Sequence, residues 1–136
     1  MVKVLDDISI KETAEAVPAA RVLVIDDDSS LLRMLRLSLI SDGFDVTTAR
    51  HGQEGLDQMQ QDGNFDAIVL DLQMPVMDGR TFYKEMRGSG YSTPVLVLSA
   101  YQAEEARREL GAEASLNKPF DPEVLVESLH KLVDES

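Results

Sequence analysis

Cysteine is absent from all 136 residues. Its absence excludes disulfide scaffolds, thiolate nucleophiles and thiolate metal sites, and it fits a reducing compartment. No apolar run approaches the roughly 20 residues needed to cross a bilayer. The N-terminus also lacks the basic-then-apolar layout of a signal peptide. The expectation is therefore a soluble, cytoplasmic protein with no membrane partner. Basic residues are scarce: 13 Lys and Arg stand against 25 Asp and Glu, for a net charge of −12. Binding to a phosphate backbone draws its affinity from clustered Lys and Arg, so no direct nucleic-acid partner is expected. The chain, 43% hydrophobic, has enough for one domain with one core and no room for a second catalytic or DNA-binding domain.

What the chain does have is a set of apolar runs that stop abruptly at polar residues. Ile68-Val69-Leu70 runs into Asp71, after which Pro75 and the Asp78-Gly79 pair force a turn. Val22-Leu23-Val24-Ile25 runs into Asp26-Asp27-Asp28, and Val95-Leu96-Val97-Leu98 runs into Ser99-Ala100. Continuous runs of this kind, rich in β-branched residues, read as buried strands.

Helical spacing fills the gaps between them. After a capping Asp28 or Ser29, Leu31, Leu32, Leu35 and Leu39 form one stripe, with Arg33 and Arg36 opposite, and Asp42-Gly43 stops the helix. A second strand is expected over 44–48 and a second helix over 52–61, with Leu56 and Met59 inward. Strands over 65–70 and 94–98 flank a helix over 79–87 that uses Phe82, Tyr83 and Met86. A short charged helix over 102–110, a short strand over 114–116 and a helix over 122–133, opened by Pro122, complete the chain. This (βα)5 alternation predicts an α/β fold: a doubly wound, five-stranded parallel sheet with flanking helices. Right-handed crossovers then bring every strand's carboxyl end to one edge.

Residues 1–20 read as an N-terminal extension, loosely ordered or carrying a short helix after the capping-box pattern Ser9-Ile10-Lys11-Glu12. Val4-Leu5-Asp6-Asp7 mimics Val24-Ile25-Asp26-Asp27, but the segment behind it is too short to be a crossover helix. The domain proper is expected over 21–134.

The shared edge gives the polar strand ends a common purpose. Asp26, Asp27, Asp71 and Ser99 meet in one shallow pocket if their strands are neighbours, and Lys118, at the end of the fifth strand, is aimed at the same carboxylates. Crowded carboxylates raise one another's pKa or demand a counter-ion, and a hard divalent cation such as Mg²⁺ suits oxygen ligands and phosphate. Pro119 is able to take a cis bond there. Asp26–Asp28 taken alone also reads as an acidic helix start. His51 and His130 fall outside this pocket and read as solvated.

Four motifs, Val22 to Asp27, Asp71 to Gly79 with its Met-Pro-x-Met-Asp-Gly pattern, Leu98-Ser99-Ala100, and Lys118-Pro119-Phe120, together resemble the receiver domain of two-component response regulators. The likeness is to the chemotaxis-regulator type. The resemblance implies a flavodoxin-like sheet in strand order 2-1-3-4-5. It also implies that Asp71 accepts a phosphoryl group from a histidine kinase or histidine phosphotransfer protein. Mg²⁺ would be held by Asp27, Asp71 and the main-chain carbonyl of Gln73, with Asp26 holding one of its waters. Ser99 and Lys118 would bind the phosphoryl oxygens, and Asp78 and Gly79 would shape the loop. A downstream effector would read the face made by the fourth helix, fifth strand and last helix. The chain would be a monomer or a phosphorylation-dependent dimer, and no enzyme beyond its own phosphorylation and dephosphorylation.

Two departures from the family stand out. The fourth helix is short and has almost no apolar stripe, and the position three before Lys118, commonly Tyr or Phe, is Ser115. A loose fourth helix, with order-to-disorder in place of a ring flip and Tyr101 as partial substitute, is the hypothesis these departures raise. Equal, strong amide protection over 102–110 with and without a phosphoryl mimic would count against it. Two other classes stay open. A receiver-like interaction module is never phosphorylated, and an aspartate-nucleophile phosphohydrolase needs a general acid where Gln73 stands.

Overall fold

The computed structural model describes residues 18–135. The expected extension falls mostly on residues 1–17, outside the described residues. Five strands and five helices alternate as expected: β1 (Arg21–Ile25), α1 (Ser29–Ser41), β2 (Asp45–Ala49), α2 (Gly52–Gln61), β3 (Ala67–Asp71), α3 (Gly79–Gly88), β4 (Val95–Ser99), α4 (Ala103–Leu110), β5 (Ala114–Asn117) and α5 (Pro122–Glu135). All strand pairs are parallel, in the order β2-β1-β3-β4-β5. The doubly wound 2-1-3-4-5 sheet is therefore what the chain forms.

Side chains alternate across the sheet and so create two cores. On one face, Leu23, Ile25, Ile68, Leu70, Val95 and Val97 meet α2, α3 and α4 through Leu56, Met59, Phe82, Met86 and Ala106. On the other, Val22, Val24, Ala67, Val69, Leu96 and Leu98 meet the leucines of α1 and α5. Both faces of the central strands are covered, which explains their lack of polar alternation.

Strand boundaries differ from the sequence expectation by one or two residues, and the shift matters. Phe44 and Phe65 are buried but precede the ladders; the Phe44 N–H still closes α1 on the Leu39 carbonyl at 3.0 Å. At the other end the ladders run further. Asp71 pairs with Leu98, and Ser99 with Asn117. The reactive side chains thus stand on the last residues of paired strands, and the helix-to-strand returns occupy the opposite edge.

Candidate functional site

Each of the three aspartates after β1 does a different job. Asp28 caps α1, its carboxylate accepting from the Ser30 and Leu31 N–H groups at 3.0 and 3.1 Å. Asp27 is exposed. Asp26 is wholly buried, because its N–H continues the sheet onto the Ala49 carbonyl at 3.1 Å. One of its oxygens accepts from the Asp28 N–H at 2.9 Å. Its Oδ2 receives no hydrogen bond, although the Lys118 ammonium lies 2.8 Å away as an ion partner.

Asp71 ends β3 and is 2% exposed. The Lys118 ammonium stands 3.3 Å from its Oδ1, and the Gln73 N–H donates to the same oxygen at 3.4 Å. Burial, and after it the neighbouring Asp26 charge, outweigh these partners and push the Asp71 carboxyl up to about 6. The Lys118 pKa is raised as well, but here the crowding favours the charged form. Burial disfavours its charge, but contact with Asp26 and then Asp71 holds its pKa above the ordinary lysine value.

Ser99, 1% exposed, ends β4. Its hydroxyl donates to the Tyr101 carbonyl at 2.9 Å and accepts from the Tyr101 N–H at 3.2 Å. The Gln73 side-chain amide donates to the same oxygen at 3.3 Å, since the single hydroxyl proton goes to the nearer acceptor. Lys118 is placed by its own N–H, which donates to the Ser99 carbonyl at 2.8 Å, and its bond to Pro119 is cis.

Asp78 and Gly79 take the structural parts expected of them. Asp78 caps α3 on the Thr81 N–H at 2.9 Å. A Cβ on Gly79 would lie 2.3 Å from the Asp71 carbonyl, so only glycine lets α3 start so close to the strand end.

Oxygens of Asp26, Asp27 and Asp71 all lie within 4.8 Å of one another. This is a set of hard donors suited to a small divalent cation, and Asp26 Oδ2, whose partner is the Lys118 ammonium at 2.8 Å, keeps a further lone pair. The residues present fit such an ion. A cavity of about 480 Å³ opens beside them, lined by Asp28, Leu31, Met34, Ala100, Lys118, Pro119 and Phe120. A larger groove of about 550 Å³ lies between α1 and α5, away from this chemistry.

The reading of both histidines as solvated holds for His130, which stays exposed although it has partners, and is corrected for His51. His51 is half-buried and caps α2 through Nδ1, 3.3 Å from the Glu54 N–H. His130 pairs with Asp42 and sets its ring 4.8 Å from that of Phe44. The residue that sequence reading missed is Asn117. Its side chain accepts from the Ala103 N–H at 2.9 Å, and the signal was a polar residue ending a strand beside a helix without a capping residue of its own.

Comparison with known proteins agrees with this geometry. A model of the response regulator receiver domain matches residues 22–130. The chain is 38% identical over 118 residues to the response regulator MprA of Mycobacterium tuberculosis, covering 85% of this chain and 51% of that protein. It is 35% identical over 132 residues to the alkaline phosphatase synthesis transcriptional regulatory protein SphR of Synechococcus elongatus, covering 89% of this chain and 51% of that protein. The chain thus spans about half the length of the curated relatives it matches. Among solved structures, the receiver domain of Francisella response regulator 1452 matches with a TM-score of 0.78 at 33% identity, covering 85% of this chain and 98% of that one. The chemotaxis response regulator CheY4 of Vibrio cholerae matches with a TM-score of 0.75 at 37% identity, covering 84% and 98%.

Proposed function

Because the chain belongs to the response regulator receiver domain family, we propose that it is a phosphorylation-dependent switch of a two-component system, with Asp71 as its phosphoacceptor. The observation that carries this reading is the meeting of three carboxylates within 4.8 Å with one ammonium set against two of them.

In the proposed reaction a carboxylate oxygen of Asp71 attacks the phosphorus of a phosphohistidine on a kinase or phosphotransfer protein. An acyl-phosphate O–P bond forms, the N–P bond breaks, and the imidazole leaves with its electron pair. A bound Mg²⁺ supplies charge neutralisation for this meeting of anions. Asp27, Asp71 and the Gln73 carbonyl would hold it, and Asp26 would orient one of its waters. Lys118, already at 3.3 Å from Asp71, transfers its attention to the new phosphoryl oxygens, and Ser99 exchanges its Tyr101 partner for one of them. Both new contacts exist only in the phosphorylated state, so they supply the differential free energy that shifts the domain between two conformations. An effector then reads the α4-β5-α5 face. The chain acts by binding, in the cytoplasm, as a monomer or a phosphorylation-dependent dimer.

The test is incubation with acetyl phosphate and Mg²⁺ followed by intact-mass measurement. One phosphoryl adduct on the unaltered chain and none on Asp71→Asn supports the switch. No adduct on either selects an inert binding module, and steady release of phosphate from simple esters selects a hydrolase.

A further inference from the structure

Helix α4 begins without a cap of its own. Gln102, the residue before it, has left-handed backbone angles of φ 51° and ψ 48°, and its side chain makes no capping bond. The N–H of Ala103, a buried residue, is instead met from another element by the Asn117 side-chain oxygen at 2.9 Å. A second tie runs beside it: the Ser115 hydroxyl donates to Glu104 at 2.8 Å. Residues 115 and 117 share one face of β5 because strand side chains alternate. Ala114 and Leu116, on the other face, pack in the core with α5. Strand β5 therefore holds the start of α4 by two directional bonds, while the helix buries only the small alanines Ala103 and Ala106 and adds a half-buried Leu110 at its far end.

Asn117 is also the residue before Lys118, whose ammonium contacts Asp26 and Asp71. From the other direction, the loop entering α4 is closed by the Ser99 hydroxyl on both main-chain groups of Tyr101. Both approaches to the first turn of α4 thus end at the phosphoacceptor pocket.

We propose that Asn117 is a positioning residue. It caps α4 from the neighbouring strand and, through the peptide unit shared with Lys118, makes the first turn of that helix follow whether Lys118 holds bare carboxylates or a phosphoryl group on Asp71. This rests on Asp71 being the phosphoacceptor.

Amide hydrogen exchange over residues 103–110 of the full chain, with and without acetyl phosphate and Mg²⁺, tests it. The variants are Asn117→Ala, Asn117→Asp and Ser115→Ala, with intact mass reporting the adduct. In the unaltered chain, exchange at residues 103–106 changes with phosphorylation. In Asn117→Ala, unphosphorylated exchange there rises about tenfold and the phosphorylation-dependent change falls below roughly twofold, although the adduct still forms. Asn117→Asp keeps an oxygen acceptor and restores the change, and Ser115→Ala weakens it only in part. A full phosphorylation-dependent change in Asn117→Ala, or failure of Asn117→Asp to restore it, overturns the coupling while leaving the phosphoacceptor reading intact. No adduct on the unaltered chain overturns both.

Discussion

Helices α1 and α4 stand beside the same pocket but are held there by different physics. The first is thirteen residues long, carries its own cap in Asp28, and buries Leu32, Leu35 and Leu39. The second is eight residues long, is capped from β5, and buries only Ala103 and Ala106. Its outer surface is laced with ion pairs, Glu104 bridging to Arg107 and Arg108 at 2.6 and 3.3 Å. Apolar burial is non-directional and fixes a helix almost regardless of what happens to one hydrogen bond. A helix set by a few aligned bonds has another position available as soon as those bonds find new partners. The contrast places rigidity on the side expected to meet the phosphodonor and adjustability on the side expected to report.

The sharpest test of this contrast compares core truncations. Leu35→Ala should cost about 2–5 kcal/mol, since it removes a fully buried side chain from packed surroundings. Ala106→Gly should cost only about 1–2 kcal/mol, from lost helix propensity and one buried methyl. Urea denaturation measures both; equal costs would erase the distinction.

Asp71 lies between the two regions, and its replacement should stabilise both alike. Its folded pKa of about 6 exceeds the ordinary value near 3.9, so the folded chain holds this proton more tightly than the unfolded one. The associated stability is fully present below about pH 4 and is lost as pH rises through about 6. In chelator, Asp71→Asn should therefore gain about 1–3 kcal/mol over the unaltered chain at pH 7.5 and almost nothing at pH 4. Thermal melts across that range read the crossover, and a gain that grows toward acid would refute the assignment of burial as its cause.

The smallest expected effect is of salt. At about 1 M, where the screening length is roughly 3 Å, amide exchange in α4 should quicken a few-fold while that of α1 stays within error. Glu104 makes this sensitive, because Arg107 and then Ser115 hold its carboxyl down to about 2. Ordinary acidification therefore leaves these bonds in place, whereas screening reaches them.

Much of this contrast was legible beforehand because it is written in local pattern. The leucine stripe of α1, the poverty of apolar residues in α4 and the abrupt polar ends of three strands are visible one segment at a time. So was the convergence of Asp26, Asp71, Ser99 and Lys118, since a parallel sheet admits only one edge for strand ends. What was not legible depends on partners distant in sequence. Asn117 looks like an ordinary loop residue until β5 is laid against the start of α4. The partners of the exposed His130 are likewise hidden until the turn after α1 brings Asp42 and Phe44 to it. The sequence likewise shows three equal aspartates at residues 26–28, and only the fold separates a buried ion partner, an exposed carboxylate and a helix cap.

The division of the sheet into a chemical edge and a return edge has a practical use. Ser89 ends α3 on the return edge, exposed and roughly a strand's length, about 16 Å, from the carboxylates. In a chain with no native thiol, Ser89→Cys provides a single near-isosteric attachment point for a fluorophore. A dye there reports an arriving labelled partner by energy transfer along the length of the strands, without standing in the partner's way.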